Sequence, residues 1–245
     1  MTSRASGGTV EQRVQSKSGS GRSLRIAVVL LVAASGALES VSFLGLERVF
    51  AGVMTSNLAL LGMAVGRGKA VGVTAAVLAL AGFGLGVLVG SWCTRGSAMA
   101  ATRWPRSVLI VLAAEAVLLA VGALVWGLAG GMPGESTRYA MQFGAGLAMG
   151  AQSAAMVTAG HAAAPTTYLT GTLATYIVKG VHSGRPGVWV PLRFAGLVAG
   201  AAVSAALLKE ARAWAALPPV VLTLCALAVA RAPLAARRCR SVGRS

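Results

Sequence analysis

Long apolar runs recur along nearly the whole chain, and they constrain its fold more than any other feature. Each run is long enough to form a membrane-crossing helix, because about 20 residues at about 1.5 Å each span a hydrocarbon core of roughly 30 Å. Of the 245 residues, 56% are hydrophobic and only 11% are charged, whereas a soluble domain carries about 25% charged residues. The sequence therefore predicts an all-α polytopic membrane protein, a helical bundle with the lipid bilayer as its first partner.

The number of crossings depends on two short segments. The apolar segments cover residues 24–46, 50–66, 70–92, 107–130, 139–160, 166–181, 190–208 and 217–234. The second and the sixth are short and carry polar clusters, so each either crosses fully or enters and returns as a re-entrant element. We favour eight membrane helices, because both short segments are apolar on either side of their polar residues. The alternative is six full spans plus two re-entrant segments, which would invert the second half relative to the first.

A cluster of turn residues at 130–134 divides the membrane domain, residues 24–234, into halves at 24–130 and 139–234. Two basic tails flank it, a disordered one at 1–23 and a second at 235–245, and they contain much of the net charge of +16. This is the positive-inside pattern, and with either number of spans it predicts cytoplasmic N- and C-termini. Basic residues interleaved with aromatic ones are absent, so we predict no nucleic-acid partner.

Similar residues recur at matching places in the two halves. Thr55-Ser56-Asn57-Leu58 resembles Thr170-Gly171-Thr172-Leu173, and Glu39 lies near the level of Gln152. We interpret this as an internal repeat, which is common in transporters.

Glu39 is the strongest candidate for a functional residue, because a charged carboxylate at the bilayer centre costs at least about 2.5 kcal/mol. We predict that it binds a proton or another cation; the alternative is a carboxyl group hydrogen-bonded to Ser40, Ser42 or Arg48. Glu115, inside the fourth segment, is the second buried acid, and its alternative role is a protonated link between two helices.

Two polar clusters predict a substrate or ion site where the short helices meet, with interhelical hydrogen bonding as the alternative. They comprise Thr55, Ser56 and Asn57 in the first half and Thr166, Thr167, Thr170 and Thr172 in the second, with Gln152 nearby. Glycines at four-residue spacing predict close helix packing inside the bundle, or a homo-oligomer interface as the alternative. These glycines are Gly82, Gly86, Gly90, Gly146, Gly150, Gly196 and Gly200.

Enzyme chemistry is not indicated. The sequence has no HExxH, GxSxG or CxxC motif, and its three cysteines lack the spacing of a metal site or a disulfide framework. We therefore predict no catalytic residue, no metal and no cofactor.

The motifs around Glu39 resemble a known family. The run from Gly36 through Glu39 to Phe43, followed by Phe50-Ala-Gly-Val-Met-Thr55-Ser56-Asn57, is similar to the opening of the YoaK-like bacterial membrane proteins, domain-of-unknown-function family 1275. In the second half, residues 148–152 and 165–173 resemble the same family. Ser56 stands where the family usually has Gly, and Ser153 where it usually has Asn. The resemblance implies an integral protein of the bacterial inner membrane without an established substrate.

Our leading functional hypothesis is a secondary transporter or permease for a small solute, with a proton as the coupling ion. Glu39 would be the coupling group, Asn57, Gln152, Thr170 and Thr172 would line the site, and Glu115 would assist. The rival hypothesis is a non-transporting assembly or signalling partner that binds other helices through its glycine faces.

Overall fold

The computed structural model describes residues 7–68, 72–97, 104–160, 169–183 and 187–242. In this part of the chain the protein forms eight α-helices and no strand. They are α1 (Gly7–Ser40), α2 (Met54–Gly66), α3 (Val73–Cys93), α4 (Arg106–Leu128), α5 (Glu135–Ala159), α6 (Leu169–Ser183), α7 (Trp189–Glu210) and α8 (Leu217–Val242). A π-helical turn, Val41–Leu46, continues α1, and a 3-10 turn, Arg212–Trp214, precedes α8.

The predicted tails differ from the structure. Helix α1 begins at Gly7, within residues 1–23 that the composition predicts to be disordered, and α8 continues to Val242. No proline interrupts residues 7–40, so the helix can extend from the apolar part of α1 back into the basic segment. Thr166 and Thr167 of the second polar cluster lie outside the described residues.

Two core clusters define the two ends of the bundle. The first end contains Leu24 of α1, Val108 of α4 and Ala230 of α8. The second end contains Val41 after α1, Trp126 of α4 and Ala215 before α8. Helices α1 and α4 therefore run from the first end to the second, whereas α8 runs back between them.

Helix α5 also runs from the second end to the first, since Ala145 and Met149 belong to the second-end core and Ala155 and Ala159 to the first-end core. Glycine contacts fix the directions of α3 and α7. Gly82 faces Phe143 and Gly86 faces Leu147, so α3 is parallel to α5. Ser40 Oγ donates to the Ala201 carbonyl oxygen at 2.9 Å, and Gly36 faces Leu197, so α7 is parallel to α1.

The chain path gives six helices that cross the bundle and two that do not. Helix α2 follows α1 at the second end, and α3 begins at that same end, where Ala75 and Ala76 pack with Leu60 and Leu61 of α2. Helix α6 lies between the end of α5 and the start of α7, both at the first end. The expected eight helices are present; among the described residues, α2 and α6 each lie between two helices that end and begin at the same end of the bundle, and we call them re-entrant for this reason.

Glycine removes the side chains that would keep the parallel pairs apart. A Cβ at Gly82 or Gly86 would collide with a backbone oxygen of α5, and a Cβ at Gly146 or Gly150 would collide with one of α3. Gly200 faces the Ala33 carbonyl in the same way in the α1–α7 pair. Gly196 approaches Val29 less tightly, and Gly90 lies against Ala154. All seven predicted packing glycines therefore lie at contacts within the bundle.

Five helices of the described chain are long and apolar enough to cross a membrane: the apolar part of α1, then α3, α4, α7 and α8. Their outward faces carry large exposed apolar side chains such as Leu88, Ile110 and Leu128, as expected for contact with lipid. Helix α5 has 25 residues but is rich in Gly, Ala, Gln and Ser, and almost half of its residues are buried. It is less apolar because other helices, rather than lipid, surround it.

Candidate functional site

The Glu39 carboxylate lies at the N-terminus of the re-entrant helix α2. Its Oε2 accepts a hydrogen bond from the Ala51 backbone N–H at 2.8 Å, and its Oε1 accepts one from the Gly52 N–H at 2.8 Å. These N–H groups precede Met54, the first residue of α2. The positive end of a helix dipole and its unpaired N–H groups favour a carboxylate at this place. The hydrogen-bond partners of Glu39 are therefore backbone N–H groups of the segment before α2, rather than the side chains of Ser40, Ser42 or Arg48.

Local backbone geometry brings that chain back to Glu39. After Ser40 the helix widens into the π-helical turn, a feature often found at functional sites. Arg48 then has a positive φ of 58°, which reverses the chain. At Gly52 a Cβ would lie 3.1 Å from Glu39 Oε1 and 3.3 Å from Met149 Cγ, so the lack of a side chain allows the close approach.

Asn57 holds the returning segment in place. Its Oδ1 accepts the Phe50 N–H at 2.8 Å, and its Nδ2 donates to the Phe50 carbonyl oxygen at 2.7 Å. The side chain is fully buried. Its amide is thus engaged with the backbone next to the Glu39 ligands, and Asn57 positions the site rather than presenting its amide to a solute. Thr55, from the same cluster, is exposed.

Ser42 and Gln142 extend this network to α5. Ser42 Oγ lies 2.6 Å from the Val49 carbonyl oxygen and 2.9 Å from Gln142 Oε1. Gln142 is fully buried, and its Nε2 also donates to the Phe50 carbonyl at 3.4 Å. Sequence reasoning missed Gln142 because it lies close to the start of its span. Gln142 lies four residues before Gly146 and eight before Gly150, and therefore on the packed face of α5. This spacing is the sequence signal that could have identified it.

The second end of the bundle is closed by polar contacts at its rim. Arg138 Nε forms an ion pair with Glu47 Oε1, and its Nη1 donates to the Pro133 carbonyl oxygen at 3.3 Å. The indole N–H of Trp126 donates to the Arg212 carbonyl oxygen at 2.7 Å, and Arg212 Nε donates to the Gly131 carbonyl at 2.8 Å. These contacts connect the α4–α5 loop and its flanking helices to the segment after α1 and to the turn before α8.

The other predicted site residues occupy different places. Gln152 is fully buried on α5, three residues after Met149, so it lies one turn from the Glu39 site on the same helix face. Glu115 on α4 is buried, and neither of its oxygens has a hydrogen-bond partner. Helix α6 packs on α7, with Thr170 exposed and Thr172 half-buried. The structure therefore joins Glu39 and Asn57 in one site and leaves the two threonines at the other end of the bundle.

An apolar cavity of about 230 Å³ lies between α1, α4, α5 and α8 at the second end. Leu38, Val41, Met141 and Ala145 are among its lining residues. Leu38 adjoins Glu39 in the sequence but points into this cavity, so α1 separates the cavity from the carboxylate.

The Glu39 carboxylate has hydrogen-bond acceptor capacity beyond its two backbone donors. Both carboxylate oxygens already accept one N–H each, and each retains a lone pair for a proton or a metal ion. Within the described residues no group of three or more His, Cys, Asp or Glu side chains forms a metal-binding cluster.

The helical bundle and its apolar outward surface define a multi-pass α-helical membrane protein. Residues 27–229 match the family model described as "Protein of unknown function (DUF1275)", and the chain belongs to this family. It is 34% identical over 148 residues to the UPF0700 transmembrane protein YoaK of Bacillus subtilis (strain 168). That alignment covers 60% of this chain and 63% of the relative. No solved structure matches the chain.

Proposed function

We propose that the protein is a secondary transporter or permease for a small solute, with Glu39 as its coupling group for a proton. The observation that carries this proposal is the position of the Glu39 carboxylate at the N-terminus of α2, deep in the bundle. Secondary transporters commonly bind ions and substrates where a helix is interrupted inside the membrane, because the ends of such helices offer unpaired backbone groups. Irregular backbone at this depth is tolerated only where protein or a polar cavity surrounds it.

The arrangement of helices supports an inverted internal repeat. Helix α1 pairs with α7 and α5 pairs with α3, so the first helix of each half lies beside the third helix of the other. Helices α4 and α8 are neighbours that run in opposite directions. A two-fold axis in the membrane plane would relate the halves in this way, with α2 re-entrant from one end and α6 from the other. Many secondary transporters have inverted repeats of this kind.

The charges support an inner-membrane orientation with both termini in the cytoplasm. The described side chains at the first end include six arginines, whereas at the second end five cations (Arg48, Arg67, Arg138, Lys209 and Arg212) lie beside three glutamates. The six arginines are Arg22, Arg25, Arg95, Arg106, Arg193 and Arg231, and the glutamates are Glu47, Glu135 and Glu210. Under the positive-inside rule the first end, where α1 enters and α8 leaves, faces the cytoplasm.

The close glycine contacts weigh against the rival role as a helix-binding assembly partner. Gly86 and Gly150 face backbone of a neighbouring helix in the same chain, and so does Gly200. Their surfaces are therefore already covered, and they offer no free face to a second protein.

Proton-coupled flux tests the proposal directly. The purified protein would be reconstituted into liposomes loaded with a pH-sensitive dye, and a panel of amino acids, sugars and monovalent cations would be added outside. We expect at least one solute to move protons in the wild type, and the Glu39→Gln variant to reduce this flux at least tenfold. The matched control is Glu47→Gln, which removes an acid at the rim and should retain the flux.

Two results would count against the proposal. One is unchanged flux in a Glu39→Gln variant that remains monodisperse with a wild-type melting temperature. The other is a Glu39→Gln variant whose flux falls only in proportion to a loss of folded protein, since this would make Glu39 a structural link. The Glu39→Asp variant separates these cases, because it keeps an acid that titrates while shortening its reach to the Ala51 and Gly52 N–H groups.

A further inference from the structure

Two arginines, Arg25 on α1 and Arg193 on α7, lie at the first end of the bundle. The Arg25 guanidinium lies over the Trp189 ring, with its central carbon 5.5 Å from the ring centroid. Arg193 follows Trp189 by four residues and therefore lies on the same side of α7, one turn deeper. One turn further on, Gly196 of α7 contacts Val29 of α1. This contact and the Arg25–Trp189 contact place Arg193 near the level of Arg25, on the neighbouring helix.

Among the described residues, no acidic side chain forms an ion pair with either arginine. Arg193 is half-buried, and its Nε is fully buried without a hydrogen-bond acceptor. Both ion pairs found in the described part of the chain, Arg138 with Glu47 and Lys209 with Glu210, lie at the second end. A half-buried guanidinium whose Nε has no acceptor, near a second guanidinium, is costly because its charge is not neutralised.

We propose that this pair of arginines binds the phosphate of an anionic phospholipid. A guanidinium forms paired hydrogen bonds with phosphate oxygens, and two neighbouring guanidinium groups can bind one phosphate group together. Trp189 marks the membrane interface, since tryptophan prefers the level of the lipid head groups. The two arginines thus lie at the level expected for a lipid phosphate, at the end of the bundle that also carries Arg22, Arg95, Arg106 and Arg231. Basic pockets between membrane helices bind acidic lipids elsewhere for the same reason.

Lipid binding to the full-length protein in detergent tests the site. Phosphatidylglycerol would be titrated in, and binding would be followed by native mass spectrometry and by the melting temperature. Phosphatidylcholine and inorganic phosphate would be titrated in parallel. At about 1 kcal/mol per basic residue, each substitution Arg25→Gln or Arg193→Gln should weaken phosphatidylglycerol binding about fivefold. The matched control Arg231→Gln, at an exposed arginine of the same end, should leave this binding unchanged.

Stability without lipid provides the second readout. The Arg193→Gln variant should keep or raise the melting temperature of the lipid-free protein, because it removes an unpaired charge and its repulsion from Arg25. The proposal is overturned if Arg231→Gln weakens binding as much as Arg193→Gln, which would indicate a general basic surface. It is also overturned if phosphatidylcholine binds equally well, or if inorganic phosphate raises the melting temperature as much as the lipid does, which would make a free anion the ligand. Exposed Arg25 gives an independent test should Arg193→Gln fail to fold.

Discussion

Replacing Asn57 by alanine should destabilise the protein far more than its single amide suggests. The substitution removes the acceptor of the Phe50 N–H and the main donor to the Phe50 carbonyl, at 2.8 and 2.7 Å. The carbonyl keeps only the long contact with Gln142 at 3.4 Å, and the N–H is left buried without a partner. An unsatisfied buried group costs about 1–3 kcal/mol and a lost hydrogen bond about 1 kcal/mol, so we expect a loss of about 2–4 kcal/mol.

This loss corresponds to a change of roughly 30- to 900-fold in the ratio of folded to unfolded protein. It can be measured by equilibrium unfolding in mixed micelles of increasing SDS content, followed by tryptophan fluorescence. Thr55→Ala is the matched control, because Thr55 belongs to the same polar cluster but is exposed; it should change stability by no more than about 0.5 kcal/mol. Equal losses in both variants would refute the assignment of Asn57 as the residue that holds the re-entrant segment.

Three further predictions follow from contacts elsewhere in the bundle. Gly86→Ala should destabilise the α3–α5 pair by about 1–3 kcal/mol because its Cβ would meet backbone, whereas Gly84→Ala, with open space around it, should be nearly neutral or stabilising in the same unfolding assay. Trp126→Phe should cost about 1–2 kcal/mol by leaving the Arg212 carbonyl without its donor; a melting temperature equal to wild type would contradict this. In a variant without native cysteines, a cysteine at Met132 should react with an impermeant maleimide on intact cells and one at Ser97 only after permeabilisation; the reverse pattern would invert the proposed orientation.

The sequence predicts the positions of the helices well, because helices that face lipid need long apolar runs. It predicts the number of crossings less well, because a segment such as α2 is equally apolar whether it crosses the membrane or returns. The return depends on the positive φ of Arg48 and on the fit of Gly52 against Met149. These features involve residues far apart in the sequence, and neither leaves a periodic signal.

The sequence identified the polar side chains of the candidate site but not their hydrogen-bond partners. Glu39 is conspicuous because a carboxylate in an apolar run is costly to bury. Its ligands are backbone N–H groups, which every residue type provides, so no pattern of side chains could identify Ala51 and Gly52 as partners. Asn57 was found as a polar residue in the second segment, but its role depends on the distance to Phe50. Gln142 was missed because only the packing of α5 distinguishes a buried glutamine from one at the interface.

The glycine contacts also decide which parts of the molecule can move together. Within the pairs α1–α7 and α3–α5 the backbones touch directly, so the helices of a pair cannot slide past each other without overlap between main-chain atoms. Each pair joins one helix from the first half of the sequence to one from the second. Any large rocking motion must therefore divide the protein between the two pairs, along a boundary that cuts across both sequence halves. The helices that would move together therefore come from different halves of the sequence.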